Sequence, residues 1–315
     1  MSIFIMSLYK LFPKDEDLIQ KIFIKDNFCA VKCSLPKDYN DPYELFLGLD
    51  TSVSTRDLAF YNDVIQELPQ LPTTCFSRSI VSLPMWAHYG SNNMGYAIEY
   101  DNKILGECFP NASIQNMNYV SEPSKNIAKM LQMAAGTLKP RYLQFLRQTV
   151  MYNAYFSKLE EWSYEKECRF VGTGNCTEKV DSNDILFIPI SAIKSIILGK
   201  NISQTNKDRL IEISKKYKIK VYNFNISKTS SSPFLTDLDG KSFIFDKEKE
   251  EIISAHKTCK NCPQPLFTES EICEICSITE AHKQDAIDRN TFRLLHHVGI
   301  LDQYLKEFNS ISSNK

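Results

Sequence analysis

The stretch EWSYEKECRF, Glu161–Phe170, sets two carboxylates, Glu165 and Glu167, two residues apart and follows them with Arg169. Its pattern predicts a β-strand, and on a strand residues two apart point to the same face. Like charges held that close are unfavourable unless a cation or a substrate answers them. The stretch therefore has two interpretations. It is a charged strand edge that Arg169 neutralises along one face, or it is a pair of acids directed at one substrate.

Strand and helix patterns on both sides of this stretch predict an α+β fold. TTCFSRS (Thr73–Ser79) and GYAIEYD (Gly95–Asp101) have the β-branched, aromatic or alternating composition of strands. Residues 122–161 have helical periodicity. The apolar start, MSIFIMSLYKLF, is predicted to be the first strand. We expect a sheet core, mixed or antiparallel, with helices packed on it.

Length and composition predict a two-part organisation. The 315 residues suffice for one large domain or two moderate ones. We expect an α+β domain over residues 1–235 and a second part over 236–315, introduced by the turn-rich SKTSSSPFLTDLDGKS. The net charge of −1 excludes a uniformly basic nucleic-acid binder but allows a local basic patch.

The sequence has no sign of membrane insertion or secretion. No apolar run approaches the roughly 18 residues of a membrane span. The apolar N-terminus has neither a basic region nor a cleavage site, so we do not interpret it as a signal peptide. Ten cysteines without a secretion signal favour a reducing compartment, and we expect a cytoplasmic protein.

Four cysteines near the C-terminus have metal-ligand spacing. Cys259-x2-Cys262 and Cys273-x2-Cys276 are two knuckles separated by ten residues, as in a zinc ribbon. We predict a structural Zn²⁺ site in a ribbon over about 255–280, followed by a C-terminal helix. Disulfides or free thiols are the alternative. Several glutamates in the ribbon disfavour direct phosphate binding and favour a structural or protein-contact role.

Several segments, taken in order, resemble a bacterial family known as domain of unknown function 2971. They include YNDPYE (Tyr39–Glu44), MWAHYGSNNMGYAIEY (Met85–Tyr100) and KLEEWSYEKECRF (Lys158–Phe170). The resemblance extends over about the first 225 residues and does not include the cysteine knuckles. It implies no chemistry by itself.

The motif order is also similar to that of the ADP-ribosyltransferase superfamily. By that resemblance, Tyr9 or Lys10 on the first strand would grip NAD, and Ser77 on a second strand would support the pocket. Glu167 would hold the ribose hydroxyl and stabilise the oxocarbenium ion that develops when the nicotinamide–ribose bond breaks. Glu165 would orient or deprotonate the acceptor. Lys10 stands where a histidine or arginine is usual.

Three further residues have both a functional and a structural interpretation. His88 could contact a phosphate or act as a general acid, or it packs beneath the sheet. Tyr89 could stack on nicotinamide, or it is a core aromatic. Asn40 could close the pocket, or it shapes the turn before Pro42. We expect Trp86 to lie in the core.

The function that these features favour is NAD-dependent ADP-ribosyl transfer to an unidentified macromolecule, protein or nucleic acid, as in a toxin or phage-defence effector. One alternative is a metal-dependent nuclease in which acids supply oxygen ligands to Mg²⁺. Its candidate acids are Asp41, Glu44, Glu99, Glu165 and Glu167. The other alternative is a non-enzymatic ligand-sensing or interaction module with a structural ribbon. One cleft containing Glu167, Ser77 and Lys10 would favour the transferase.

Overall fold

A computed structural model describes residues 7–39, 52–122, 125–173 and 175–312. The strands are β1 Ser7–Phe12, β2 Phe28–Cys33, β3 Thr73–Ser77, β4 Tyr96–Asp101, β5 Ser113–Asn116, β6 Asn118–Val120, β7 Ser157–Leu159, β8 Glu167–Val171, β9 Glu178–Val180, β10 Asn183–Pro189, β11 Ile193–Leu198, β12 Lys220–Asn225, β13 Phe234–Asp237, β14 Ser242–Asp246 and β15 Glu251–Ser254. The α-helices are α1 Glu16–Ile22, α2 Thr55–Gln66, α3 Leu83–His88, α4 Asn102–Cys108, α5 Lys125–Thr137, α6 Pro140–Phe156, α7 Gln204–Tyr217, α8 Glu280–Asp288, α9 Thr291–His297 and α10 Leu301–Ser312. Short 3-10 helices span Pro36–Asp38, Glu160–Glu165 and Ile190–Ala192.

The core of the fold is a ten-stranded mixed sheet in the order β15-β14-β13-β12-β11-β4-β1-β3-β8-β5. Most neighbours are antiparallel, and β11 with β12 is a parallel pair. A smaller sheet, β2-β10-β9, joins the edge of β3 through an isolated bridge between Ser34 and Thr73. The predicted α+β class with a mixed sheet is confirmed.

Alternation along the central strands gives the large sheet two apolar faces. On β1, Leu8 and Phe12 belong to a core that also holds residues of β2 and β10, whereas Tyr9 and Leu11 belong to a second core beneath α3. Trp86 of α3 is fully buried in that second core, where its Nε1 donates to the Ile80 carbonyl at 2.7 Å. Its predicted place in the core is confirmed.

Three helices, α2, α5 and α6, form a further layer with its own core. Leu131, Leu146 and Val150 are buried in it. The C-terminal end of α6 leads directly into β7, which contains Lys158. This connection places Lys158 next to the start of β8 in the large sheet. The helical periodicity of residues 122–161 predicted α5 and α6 but not the short strand β7 within the same range.

Residues after 235 differ from the sequence interpretation. The segment predicted as a linker contains β13 and the first residue of β14, and the large sheet continues to Ser254. Asp239-Gly240 forms the turn between the two strands, with Gly240 at φ +85°. An Asp-Gly pair between apolar residues is a hairpin signal that could have predicted these strands.

The chain folds as two compact units. The first comprises the described residues up to Ile226 together with Ser232–Ser254, and the second comprises Ser227–Ser231 with the described residues from Ala255 onward. The second unit contains three helices, α8 to α10, where the sequence predicted one. Among the described helices, none combines the length and the hydrophobicity that a membrane span requires.

Candidate functional site

A cavity of about 210 Å³ opens where β1 and β3 stop pairing. The two strands form a single pair, Tyr9 with Ser77, and the residues beyond that pair line the cavity from both sides. Part of the lining comes from the end of β2 in the smaller sheet, and part comes from the segment between β7 and β8. The charged and hydroxyl-bearing lining residues are Tyr9, Lys10, Lys32, Ser34, Asp38, Tyr39, Thr73, Thr74, Ser77, Tyr89, Lys158, Glu165, Glu167 and Arg169.

Three predicted site residues lie in one row across adjacent strands. Tyr9 pairs with Ser77, and Ser77 pairs with Glu167. Paired residues on neighbouring antiparallel strands point to the same face at about 5 Å spacing. The three residues therefore lie on one face of the sheet, and each of them lines the cavity. The Tyr9 hydroxyl is directed to Glu99, donating to Oε1 at 3.4 Å.

Glu167 is a buried carboxylate held by two cations. Arg169 Nε donates to its Oε1 at 2.6 Å, and Lys158 Nζ lies 3.4 Å from its Oε2. Burial alone would raise the pKa of Glu167, but the charges of Arg169 and Lys158 outweigh it and lower the pKa to about 2. Glu167 is therefore ionised at neutral pH. Arg169 does answer Glu167 along one strand face, but both side chains are buried and β8 lies between β3 and β5, so the interpretation as a charged strand edge is wrong.

Glu165 reaches the same cavity by a different backbone path from the one predicted. It ends a 3-10 helix, and Lys166 follows in the left-handed region at φ 45° before β8 begins. The prediction that both acids lie on one strand is therefore wrong. Even so, Glu165 is only 4% exposed, and its side chain accepts from Tyr89 Oη at 2.7 Å and from Lys158 Nζ at 2.8 Å.

Ser77 fixes the backbone of this turn. Its Oγ donates to the Glu165 carbonyl at 2.6 Å, and the serine is 1% exposed. The hydroxyl thus supports the acid rather than facing a ligand. Tyr89 is half-buried, and burial, followed by its hydrogen bond to Glu165, raises the pKa of its phenol above the usual range. It is a neutral donor to Glu165.

Lys158 is the site residue that the sequence analysis missed. Its ammonium bridges both carboxylates, is only 7% exposed, and lies 4.7 Å from the centre of the Trp162 ring. The signal was the acid pair itself, because two buried carboxylates require a second cation besides Arg169. Lys158 opens the same sequence segment that contains both acids.

Lys10 and Cys75 bridge the gap between β1 and β3. Lys10 Nζ donates to the Cys75 carbonyl at 3.0 Å and lies 5.8 Å from the centre of the Phe76 ring. Cys75 is exposed at the cavity, and desolvation there, followed by the charge of Glu167, raises the pKa of its thiol above the usual range. Cys75 is therefore a neutral thiol beside the acid.

Other predicted residues lie elsewhere. His88 is exposed and does not line the cavity; its Nδ1 is 3.2 Å from the Tyr164 hydroxyl. The alternative interpretation, that His88 packs beneath the sheet, is wrong because the side chain is exposed. Glu99 also lies outside the cavity lining, where it accepts from Ser195 Oγ at 2.5 Å. Asn40 falls outside the described residues, as do two further nuclease candidates, Asp41 and Glu44.

The second unit gathers the four knuckle cysteines, Cys259, Cys262, Cys273 and Cys276. Their sulfur atoms all lie within 4.8 Å of one another, a group that could hold a metal ion. The Cys273 N–H donates to the Cys259 sulfur at 3.3 Å and lowers the pKa of that thiol to about 6. A donated N–H favours a thiolate, the form that ligates metals. His282 instead caps α8, with its Nδ1 accepting from Thr279 N.

Comparison with protein families gives one match. The model of a family described as protein of unknown function (DUF2971) matches residues 85–170. This segment runs from α3 into β8 and contains Tyr89, Lys158, Glu165, Glu167 and Arg169. It is shorter than the resemblance over about 225 residues expected from the sequence. No curated protein and no solved structure matches the chain.

Proposed function

We propose that the first unit is an NAD-dependent ADP-ribosyltransferase whose active site is the cavity between β1 and β3. The observation that carries the proposal is the row Tyr9–Ser77–Glu167 across three neighbouring strands, with Lys10 and Glu165 at the same cavity. These are the residue types that the motif resemblance assigns to NAD binding and cleavage. A volume of about 210 Å³ is below the roughly 300–1,000 Å³ of drug-sized sites, so the cavity would take a part of NAD rather than the whole dinucleotide.

In this proposal Glu167 acts on the ribose. The bond between ribose C1′ and the nicotinamide nitrogen breaks, nicotinamide leaves with the electron pair, and positive charge develops on the sugar. An ionised carboxylate that holds a ribose hydroxyl stabilises that charge. The low pKa of Glu167, caused by Arg169 and Lys158, keeps it ionised.

Glu165 acts on the acceptor. The nucleophile forms the new bond to C1′, and its proton passes to the Glu165 carboxylate. Tyr89 and Lys158 hold that carboxylate from two directions, and Ser77 holds its backbone. Such fixed partners limit the movement of the acid. The acceptor is a macromolecule, protein or nucleic acid.

One observation favours a second candidate, a non-enzymatic ligand-binding module. Lys158 and Arg169 neutralise both carboxylates, so the four side chains carry no net charge. This arrangement weakens the negative potential that would stabilise an oxocarbenium ion. In a binding module the same cluster would only shape the cavity.

Nicotinamide release by the purified full-length chain tests the proposal. NAD binding is measured by calorimetry and nicotinamide by chromatography, with and without cell extract as a source of acceptors. We expect release by the wild type and a loss of at least about 100-fold in Glu167→Gln, the usual cost of removing a transition-state charge partner. Ser77→Ala, which frees the Glu165 carbonyl, should also lower the rate.

The matched control is Glu178→Gln, the same change at an exposed acid paired with Lys25. It should keep the wild-type rate. If the wild type does not bind NAD even with extract present, the transferase proposal fails. Binding of NAD without turnover under all conditions would leave the binding module as the better description.

We also propose that the four-cysteine group binds Zn²⁺ in a reducing, cytoplasmic environment. Four thiolates in two CxxC knuckles form the tetrahedral donor set that zinc prefers in structural sites. The N–H donors to Cys259 and Cys273 sulfur fit ligands that carry negative charge. When bound, the ion would hold the two knuckles together and supply no reactive group.

A further inference from the structure

Lys10 is a cavity-lining cation that lacks a counter-ion. Its ammonium donates to one neutral group, the Cys75 carbonyl at 3.0 Å, and contacts the Phe76 ring. Within the described part of the chain, no carboxylate approaches it to ion-pair distance. Desolvation accordingly lowers the pKa of Lys10. A charge removed from water without a partner is costly, so this position favours an anion from outside the protein.

Thr74 is an unsatisfied donor on the same wall. It is 2% exposed, and among the described residues its Oγ1 has no hydrogen-bond partner. It immediately precedes Cys75, whose carbonyl holds Lys10, and both Thr74 and Lys10 line the cavity. Leaving a buried hydroxyl without a hydrogen-bond partner is destabilising. Two incompletely satisfied donors at adjoining positions indicate a ligand that accepts from both.

The other charged residues of the cavity also favour an anionic ligand. Glu165 and Glu167 are answered by Lys158 and Arg169. The other charged lining residues are two lysines, Lys10 and Lys32, and one aspartate, Asp38. Together they leave the cavity with one positive charge in excess. Lys32 belongs to β2, and Ser34 follows that strand with a further hydroxyl.

We propose that Lys10 and Thr74, with Lys32 and Ser34 at the edge, form a subsite for a phosphate group. A lysine ammonium binds phosphate as a point charge, and hydroxyls donate to the remaining phosphate oxygens. The inference rests on the proposed function only for the identity of the ligand: in NAD the subsite takes the diphosphate. In a binding module it takes another phosphorylated ligand.

Calorimetric titration of the full-length chain with inorganic pyrophosphate, phosphate and acetate tests this subsite. We expect pyrophosphate and phosphate to bind and acetate not to bind. Lys10→Met should weaken pyrophosphate binding at least about 10-fold, because a hydrogen bond to a charged group contributes about 1.5–3 kcal/mol. Thr74→Val, which keeps the shape and removes the hydroxyl, should weaken it about 5-fold.

The matched control is Lys25→Met, the same charge change at an exposed lysine outside the cavity, and it should bind like the wild type. Melting temperatures separate binding from folding. Without anion, Lys10→Met and Thr74→Val should melt at or above the wild-type temperature, because the first removes a cation without a counter-ion and the second removes an unpaired hydroxyl. With pyrophosphate, the wild type should gain stability and Lys10→Met should not.

Three results would overturn the subsite: no binding of either phosphate probe, equal affinity in Lys10→Met, or equal binding of acetate. The outcome is separable from that of the transferase proposal. Pyrophosphate binding that depends on Lys10, in a chain that never cleaves NAD, supports the subsite and removes the transferase. NAD cleavage that is unaffected by Lys10→Met removes the subsite alone.

Discussion

Glu167 has two roles in the structure, since it is the counter-ion of a buried arginine and a candidate catalytic carboxylate. Arg169 is 1% exposed and finds its charge partner in Glu167, with Nη1 donating to the Tyr155 carbonyl at 3.1 Å. Glutamine is nearly isosteric with glutamate, so side-chain size alone would leave folding intact in Glu167→Gln. The burial of Arg169 argues otherwise, because removing one member of a buried ion pair leaves the other uncompensated.

We therefore expect Glu167→Gln to lower the free energy of unfolding by about 3 kcal/mol. Urea unfolding followed by tryptophan fluorescence measures this, since both tryptophans, Trp86 and Trp162, belong to the first unit. The control Glu178→Gln should differ from the wild type by less than about 0.5 kcal/mol. Equal midpoints for Glu167→Gln and the wild type would show that the pair contributes no stability.

The depressed pKa of Glu167 also predicts a pH dependence. Its folded pKa of about 2 lies below its ordinary value of 4.5, so its contribution is fully present above pH 4.5 and is lost as the pH falls toward 2. The difference corresponds to about 3 kcal/mol. Urea midpoints between pH 6 and pH 3 should fall more steeply for the wild type than for Glu167→Gln. Parallel profiles would contradict this assignment.

At the scale of elements, the strands of the site could be predicted and the turn between the acids could not. Alternation and β-branched residues identified β3, β4 and the strand part of Glu161–Phe170. No glycine, asparagine or proline marks the left-handed position, which a lysine occupies. Its conformation is fixed by the tertiary bonds of its neighbours, as Arg78 N donates to the Lys166 carbonyl and Ser77 donates to that of Glu165.

The left-handed backbone at Lys166 predicts that two substitutions there change the free energy of unfolding in opposite directions. Glycine adopts a positive φ without steric cost, so Lys166→Gly should keep the free energy of unfolding or raise it by up to about 1 kcal/mol. A β-branched residue is an outlier there, and Lys166→Val should lower it by about 1–2 kcal/mol and reduce any activity that depends on Glu165. Urea unfolding of the two variants side by side is the measurement. The same midpoint for both would mean that the backbone at Lys166 can change freely.

At the scale of the whole molecule, pairing between distant residues determines more of the fold than local sequence patterns do. The α+β class and the cysteine group were predictable because each depends on short spacings. The order of the large sheet was not, since β1 joins β3 and β3 joins β8 through pairs of distant residues, such as Tyr9 with Ser77, 68 positions apart, and Ser77 with Glu167, 90 positions apart. Lys158 escaped notice for another reason, because the burial of the two nearby acids, which makes their charge partners necessary, is set by the fold.

The two units should differ in their dependence on metal. The first has extensive apolar cores on both faces of its sheet. In the described part of the second, the buried cluster consists of Leu266 and the four cysteines, which is too little apolar surface to hold a fold by itself. We therefore expect a strong zinc chelator to remove amide-exchange protection around Cys259–Cys276 and to leave that of β1, β3 and β8 unchanged.

Serine substitutions test whether the four-cysteine group, and not another cysteine of the chain, holds the metal. Cys259→Ser should reduce the zinc content, measured by atomic emission, and should reproduce the exchange pattern of the chelated chain. Cys108→Ser, the same change at an exposed cysteine outside the group, should keep both the metal and the protection. If exchange near Cys259–Cys276 is the same with and without chelator, the metal does not hold this unit together, and the packing of Leu266 with neutral thiols must suffice.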